Sequence, residues 1–178
     1  LAQAEHDVVA VPVLVSDSRS LIDRVNREIE RQLQVLDTRA TATLSLQKGF
    51  AVLVRDVEEG VRICDQLAPE HLEIMTAAAD EVAARCRHYG GLFIGGGTAE
   101  VLGDYGAGPN HTLPTGGTAR YTGGLSVLHF LRVRTWIRIS DPAGAEVLVR
   151  DAARLAELEG LKGHARSARR RLTAACKG

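Results

Sequence analysis

Two features of the sequence predict an α/β fold with a mostly parallel sheet. Short β-branched apolar runs alternate with segments of helical periodicity, the pattern of βαβ units. Such crossovers join parallel strands. The chain has 178 residues with 45% hydrophobic and 25% charged content, which is typical of one globular core. We expect an incomplete Rossmann-like, mostly parallel sheet with flanking helices, followed by a small C-terminal helical appendage.

Seven elements are expected before residue 95. They are a strand at 8–15, helices at 21–36 and 40–46, a strand at 50–54, helices at 56–67 and 80–88, and a strand at 92–94. Pro12 suggests an edge position or a bulge in the first strand. Asp56 and Glu59 have the spacing of a capping box, which predicts where the third helix begins.

The region after residue 95 begins with a glycine run and a long loop. The run at 95–97 lacks the spacing of a phosphate-binding loop and is interpreted as a strand-to-helix turn. Seven of the 22 residues at 103–124 are glycine, and no periodicity is present there. An irregular loop of this length in a compact domain is usually functional or disordered.

The last part of the chain is predicted to contain one strand and a helical tail. Residues 133–139 alternate in polarity and indicate a final strand. Asp141 and Pro142 then begin a helical segment that extends to Leu158, and a last short helix ends at 169–171. We expect a boundary near Ser140, between an α/β domain at 1–139 and a small helical appendage at 140–178.

Composition limits the classes of partner. Lys plus Arg and Asp plus Glu both number 22, so no net positive field attracts nucleic acid or anionic lipid. No apolar run is long enough to span a bilayer. Cys64, Cys86 and Cys176 form no C-x-x-C pair, which predicts reduced thiols in the cytoplasm. The chain begins at Leu1 and its one methionine is Met75, so we expect it to be part of a longer protein.

Two pairs of polar residues in the first half of the chain are candidates for chemistry. On a helix, Gln3 and His6 would project toward one point, where both could bind a zinc-type metal; the alternative is two surface residues. Glu70 and His71 are a carboxylate and an imidazole suited to proton transfer, or a solvated pair after a helix end. They could share one pocket only if Pro69 introduces an irregular turn.

Two further pairs lie in the second half. Asp104 and His111 are in the glycine-rich loop, where they could supply an oxygen ligand and a base, or serve only as part of a surface turn. Glu159 and His164 flank Gly160 in the tail, and His164 taken alone fits a helix cap.

Four segments together resemble the histidinol dehydrogenase family. They are LAQAEHD at 1–7, LAPEHLEI at 67–74, GDYGAGPNHTLPTGGTARYTGGLSV at 103–127 and LAELEGLKGHARS at 155–167. The segments occur in the family's order and extend over nearly the whole chain.

The resemblance implies a role for each candidate residue. Zinc would be bound by Gln3, His6, Asp104 and His164, proton transfer would use Glu70 and His71, and the substrate would contact the zinc ligands, His71, His111 and Glu159. The family is a homodimer whose tail completes the partner's site, so Glu159 and His164 would act across the interface. The resemblance thus makes residues 1–139 a partial α/β catalytic domain with zinc and acid/base residues, and residues 140–178 a small helical dimerisation domain.

The implied activity is oxidation of L-histidinol through an aldehyde to L-histidine with two NAD, in cytoplasmic histidine biosynthesis. The family's NAD-binding domain precedes these residues, which contain no dinucleotide fingerprint, so no NAD-binding residue is assigned and no turnover is expected from this chain alone. Alternatives are a related dehydrogenase of another small polar alcohol and a non-catalytic dimerisation fragment. A zinc hydrolase fits least because the sequence contains no H-E-x-x-H motif.

Overall fold

Four parallel strands and eight α-helices form the chain in the computed structural model, which describes residues 1–174. The helices are α1 (Ala2–His6), α2 (Arg19–Leu33), α3 (Arg39–Leu46), α4 (Val57–Leu67), α5 (Ala79–Ala83), α6 (Val101–Asp104), α7 (Glu146–Leu158) and α8 (Lys162–Ala174). The strands are β1 (Val13–Ser16), β2 (Phe50–Leu53), β3 (His71–Ile74) and β4 (Gly91–Ile94), and 3-10 helices span Thr118–Arg120 and Val127–Phe130. Two compact units are present, Leu1–Leu131 and a second unit that begins at Arg132.

The strands pair in parallel, which confirms the predicted α/β class. Strand β1 pairs with β2, with Val13 opposite Phe50. Strand β3 pairs with β4, with His71 opposite Gly91 and Ile74 opposite Ile94. Helices α2 and α3 connect the first pair and α5 connects the second, as parallel pairing requires. Within the described residues the strands form two separate pairs rather than one sheet.

Side-chain caps determine where two helices of the first unit begin. Ser18 Oγ accepts a hydrogen bond from Leu21 N at 3.3 Å at the start of α2. Asp56 Oδ1 accepts one from Glu59 N at 2.8 Å at the start of α4, so the predicted cap is confirmed. The reciprocal bond differs from a capping box, because the Glu59 carboxylate accepts from Arg55 N instead of Asp56 N.

The core of the first unit lies between β3, β4, α4 and α5. Its buried members are Val61, Leu72, Ile74, Val82, Ala83 and Cys86. In β3, Leu72 and Ile74 are buried in this core, while His71 and Glu73 alternate with them on the other face. Cys64 and Cys86 are free thiols, as predicted, and Cys176 lies outside the described residues.

Two predicted boundaries in the first unit need correction, and one strand is missing from the prediction. The first strand begins at Val13 and not at residue 8, since Pro12 has no N–H and Val9 is exposed. Helix α5 ends at Ala83 and not at residue 88, because the N–H groups of Arg87 and His88 donate to Asp65 Oδ1 instead of continuing the helix. Strand β3 was not predicted at all, because four residues are too few for a clear period.

The predicted strand at 133–139 is wrong: residues 132–139 have no regular secondary structure. Val133 and Ile137 are each 91% exposed. A strand depends on the backbone groups of a neighbour, and no residue in 1–174 pairs with this segment.

The helical tail is confirmed, with different limits. It begins at Glu146 because Asp141 Oδ1 first accepts the N–H groups of Ala143 and Gly144 in a turn. Gly160 separates α7 from α8 with a φ of +77°, which favours glycine. The last helix is longer than expected, from Lys162 to Ala174. In the described part of the chain, no helix has the length and apolar character to cross a membrane.

Candidate active site

An imidazole and a carboxylate face each other at the polar side of β3. His71 Nε2 lies 3.6 Å from Glu100 Oε1, and the two side chains are only 14% and 13% exposed. At this separation the pair is an ion pair when the imidazole is protonated, and it is longer than a hydrogen bond. His71, one of the predicted catalytic residues, therefore has a nearly buried acidic neighbour.

The turn after β4 places Glu100 beside β3. Gly95 adopts a φ of +80°, and Thr98 Oγ1 donates to Ile94 O at 2.8 Å, so the chain turns back immediately after the strand. Glu100 N then donates to Glu73 Oε1 at 3.2 Å. Because Glu73 shares a face of β3 with His71, one strand holds both the backbone and the side chain of Glu100. The predicted strand-to-helix turn is confirmed.

Asp104 completes a group of three potential ligands. One donor atom each of His71, Glu100 and Asp104 lies within 4.8 Å of the other two. Asp104 follows Glu100 by four residues across α6, the spacing at which helical side chains share a face. Imidazole and carboxylate groups at such separations suit a divalent cation of zinc type. Among the described residues this is the one such group formed by His, Cys, Asp and Glu.

The ring of Phe93 supports this group from the strand next to β3. Its centroid lies 5.9 Å from that of the His71 ring, with an interplanar angle of 44°. Phe93 also packs against the backbone of α6, since a Cβ on Gly103 would come within 2.9 Å of Phe93 Cε1. One buried ring therefore contacts both His71 and the residue before Asp104.

Glu70 follows an irregular turn at the end of α4. Ala68 ends α4 in the left-handed region, with a φ of 49°, just before Pro69. Gly91 N donates to Glu70 O at 2.7 Å, which fixes the backbone before β3 begins. The irregular turn that the sequence analysis required is present. The half-buried Glu70 side chain lies outside the three-residue group.

The glycine-rich loop is tied to the end of α4. Arg120 donates from Nη2 to Gln66 O and from Nη1 to Gly117 O at 2.7 Å. Leu125 N donates to Thr112 O at 2.9 Å and closes the loop. His111 is exposed in this loop and does not join the three-residue group.

The remaining predicted residues lie on three other helices. Gln3 is half-buried and His6 exposed on α1, which packs against α3 with Ala4 fully buried. His6 is not a member of the three-residue group. Glu159 and His164 belong to the second compact unit, at the end of α7 and in the first turn of α8. It stays a prediction that one metal ion is bound by Gln3, His6, Asp104 and His164.

Glu100 is the site residue that sequence reasoning missed. A usable signal was present: it follows a short strand by six residues and precedes Asp104 by four. The carboxyl ends of neighbouring parallel strands meet at one edge of a sheet, where binding groups collect. The four-residue spacing groups Glu100 with Asp104, whereas this rule does not give its contact with His71, the first residue of β3.

The sequence matches the family model for histidinol dehydrogenase over residues 1–172. The chain belongs to this family. A histidinol dehydrogenase of Thermus thermophilus is 45% identical over 167 residues, which cover 94% of this chain and 40% of that protein. One from Nitratidesulfovibrio vulgaris is 48% identical over 169 residues, covering 94% of this chain and 38% of that protein.

A solved structure supports the family assignment. The crystal structure of histidinol dehydrogenase from Elizabethkingia anophelis matches with a TM-score of 0.89 at 26% identity. The match covers 97% of this chain and 40% of that one. The chain therefore spans about 40% of the length of the histidinol dehydrogenases that it matches.

Proposed function

We propose that the protein containing these residues oxidises L-histidinol to L-histidine and reduces two NAD in the process. The observation that carries the proposal is the position of His71, next in sequence to Glu70 and within a nearly buried group that includes Asp104. This arrangement occurs in a chain of the histidinol dehydrogenase family. The corresponding pathway is histidine biosynthesis, in the cytoplasm.

The donor set around Asp104 is compatible with zinc. Its half-buried carboxylate is an oxygen donor that this ion accepts, and the other assigned ligands add two imidazoles and a carboxamide. Gln3, His6, Asp104 and His164 would hold the ion. When bound, zinc supplies a positive charge that orients the amino alcohol without changing oxidation state.

Two bases are assigned because two different protons must be removed. His71 takes the hydroxyl proton of L-histidinol while hydride passes to NAD from the carbon that bears this hydroxyl, which gives the aldehyde. Glu70 takes a proton from the water that adds to the aldehyde, and a second hydride passes to a second NAD to give the carboxylic acid. His111 and Glu159 bind the substrate.

The proposal assigns the tail to the partner subunit of a homodimer. Glu159 and His164 would complete the other subunit's site. NAD would be bound by residues beyond these 178, because no dinucleotide fingerprint occurs among them. This chain by itself is therefore expected to have no dehydrogenase turnover.

The test uses the protein at its natural length, purified with zinc and mixed with L-histidinol and NAD. We expect about two NADH for each L-histidine formed, with activity lost in His71→Ala. NAD reduction with another small polar alcohol but none with L-histidinol would favour a related dehydrogenase. No NAD reduction with either substrate class would overturn the proposal.

A further inference from the structure

We propose that Glu100 is a positioning residue for His71, which keeps the proton of the neutral imidazole on Nε2 and leaves Nδ1 as the nitrogen that accepts a proton. The role of Nδ1 in turnover rests on the proposed function, whereas the tautomer does not. Neither the sequence patterns nor the family segments considered above assign a role to Glu100.

The geometry favours one tautomer of His71. Glu100 Oε1 is 3.6 Å from Nε2, and a carboxylate can only accept hydrogen bonds. The two side chains are 14% and 13% exposed, so solvent weakens the field of the carboxylate at Nε2 less than it would at the surface. A carboxylate on one imidazole nitrogen commonly determines which nitrogen carries the proton. The lone pair then resides on Nδ1.

Both partners are held in place by β3 and β4. The Glu100 backbone is bound at its N–H by Glu73, two residues beyond His71 on the same strand. The His71 ring packs against Phe93, whose ring also contacts the backbone at Gly103. The His71 ring therefore lies between Phe93 on one side and the Glu100 carboxylate on the other.

A competing interpretation is that His71 and Glu100 bind a cation together with Asp104. Their donor atoms are close enough for an ion, within 4.8 Å of one another. The two interpretations make different predictions for Nε2. As a positioning pair, Nε2 retains its proton when zinc is present. As a ligand, Nε2 would bind the ion through its lone pair, and the proton of the neutral imidazole would be on Nδ1.

The decisive measurement is nitrogen NMR of the natural-length protein labelled at histidine, with the His71 signal identified by its loss in His71→Gln. We expect Nε2 to be protonated with and without zinc. Glu100→Gln, which keeps the side-chain volume, should weaken this preference, and Glu100→Leu should lower it further, to the tautomer ratio of free histidine. Three results would each overturn the proposal. They are a proton on Nδ1 in the wild type, an unchanged tautomer in both variants, and loss of the Nε2 proton when zinc is added.

Kinetics provide the second readout. We expect Glu100→Gln to lower kcat about 10-fold to 100-fold, the usual range for residues that orient a functional group, with KM little changed. Glu58→Gln is the matched control, since Glu58 forms an exposed ion pair with Arg85 at 2.7 Å in the same unit. An unchanged kcat in Glu100→Gln contradicts the proposal. If the wild type does not oxidise L-histidinol, the proposed function fails, and the NMR result still decides the role of Glu100.

Discussion

The phenyl ring of Phe93 occupies the space in which residue 103 would carry a side chain. A Cβ on Gly103 would lie 2.9 Å from Phe93 Cε1 and 3.0 Å from Cζ, closer than real Cβ contacts. Asp104 follows Gly103 directly, and Phe93 also packs against His71. The missing side chain at residue 103 therefore lets α6 approach the strands closely enough for Asp104 to reach the site.

Gly103→Ala should destabilise the protein and weaken zinc binding. The added methyl group requires either Phe93 or α6 to move, and overpacking of this kind costs about 1–3 kcal/mol. A displaced α6 would carry Asp104 away from the proposed ion. Urea unfolding measures the first effect and equilibrium dialysis with zinc measures the second.

Gly96→Ala is the matched control for this substitution. No heavy atom lies within 4 Å of a Cβ at Gly96. We expect its unfolding free energy to change little. The double variant Gly103→Ala with Phe93→Leu should regain part of the stability lost in Gly103→Ala, and strictly additive losses would show that the Phe93 contact is not the cause.

Local sequence patterns predicted the elements that depend on local interactions. Helix α2 and the start of α4 follow from apolar spacing and from Asp56, which does cap its helix. The segment at 133–139 alternates as a strand would, yet strand formation depends on a partner that the sequence window does not contain. Pairing is a property of distant residues, and alternation alone could not decide it.

The candidate site shows the same difference between local and long-range interactions. His71 and Asp104 were selected from family-like segments, and the structure brings them together. Glu100 belongs to no such segment, and its importance comes from a turn that returns the chain to β3. Contact between residues 71 and 100 follows from strand pairing in three dimensions, so spacing along the chain could not reveal it.

His6→Ala should remove zinc, whereas Glu100→Gln should largely retain it. His6 is assigned as a ligand, and Glu100 as a neighbour that orients His71. Loss of a residue that orients a metal ligand typically lowers metal affinity or activity 10-fold to 100-fold. Loss of the ligand itself should therefore lower zinc affinity more than about 100-fold. Zinc content after dialysis of each natural-length variant provides the measurement. If Glu100→Gln loses zinc and His6→Ala keeps it, the ion belongs to the group of His71, Glu100 and Asp104.

Arg120→Ala should loosen the glycine-rich loop. The guanidinium donates to the carbonyl groups of Gln66 and Gly117, and loss of such exposed charged hydrogen bonds should cost about 1–2 kcal/mol. We expect faster proteolysis within 105–124 and a lower urea midpoint. Arg24→Ala, an exposed position on α2, is the control and should leave both unchanged. Equal protease resistance in wild type and Arg120→Ala would rule out this tether.

The Cys64 thiol should make stability fall at alkaline pH. Burial raises its pKa from 9.0 to about 11, with smaller contributions from Cys86 and Asp65. Between these values the unfolded chain loses the thiol proton while the folded chain retains it, so deprotonation favours unfolding. One pKa unit corresponds to about 1.4 kcal/mol, and because the thiol is only partly buried, we expect a loss on the order of 1 kcal/mol by pH 11. Urea unfolding of wild type and Cys64→Ala from pH 8 to about 11 isolates this contribution. The difference in unfolding free energy between the two proteins should narrow as pH rises. A constant difference would contradict the assignment.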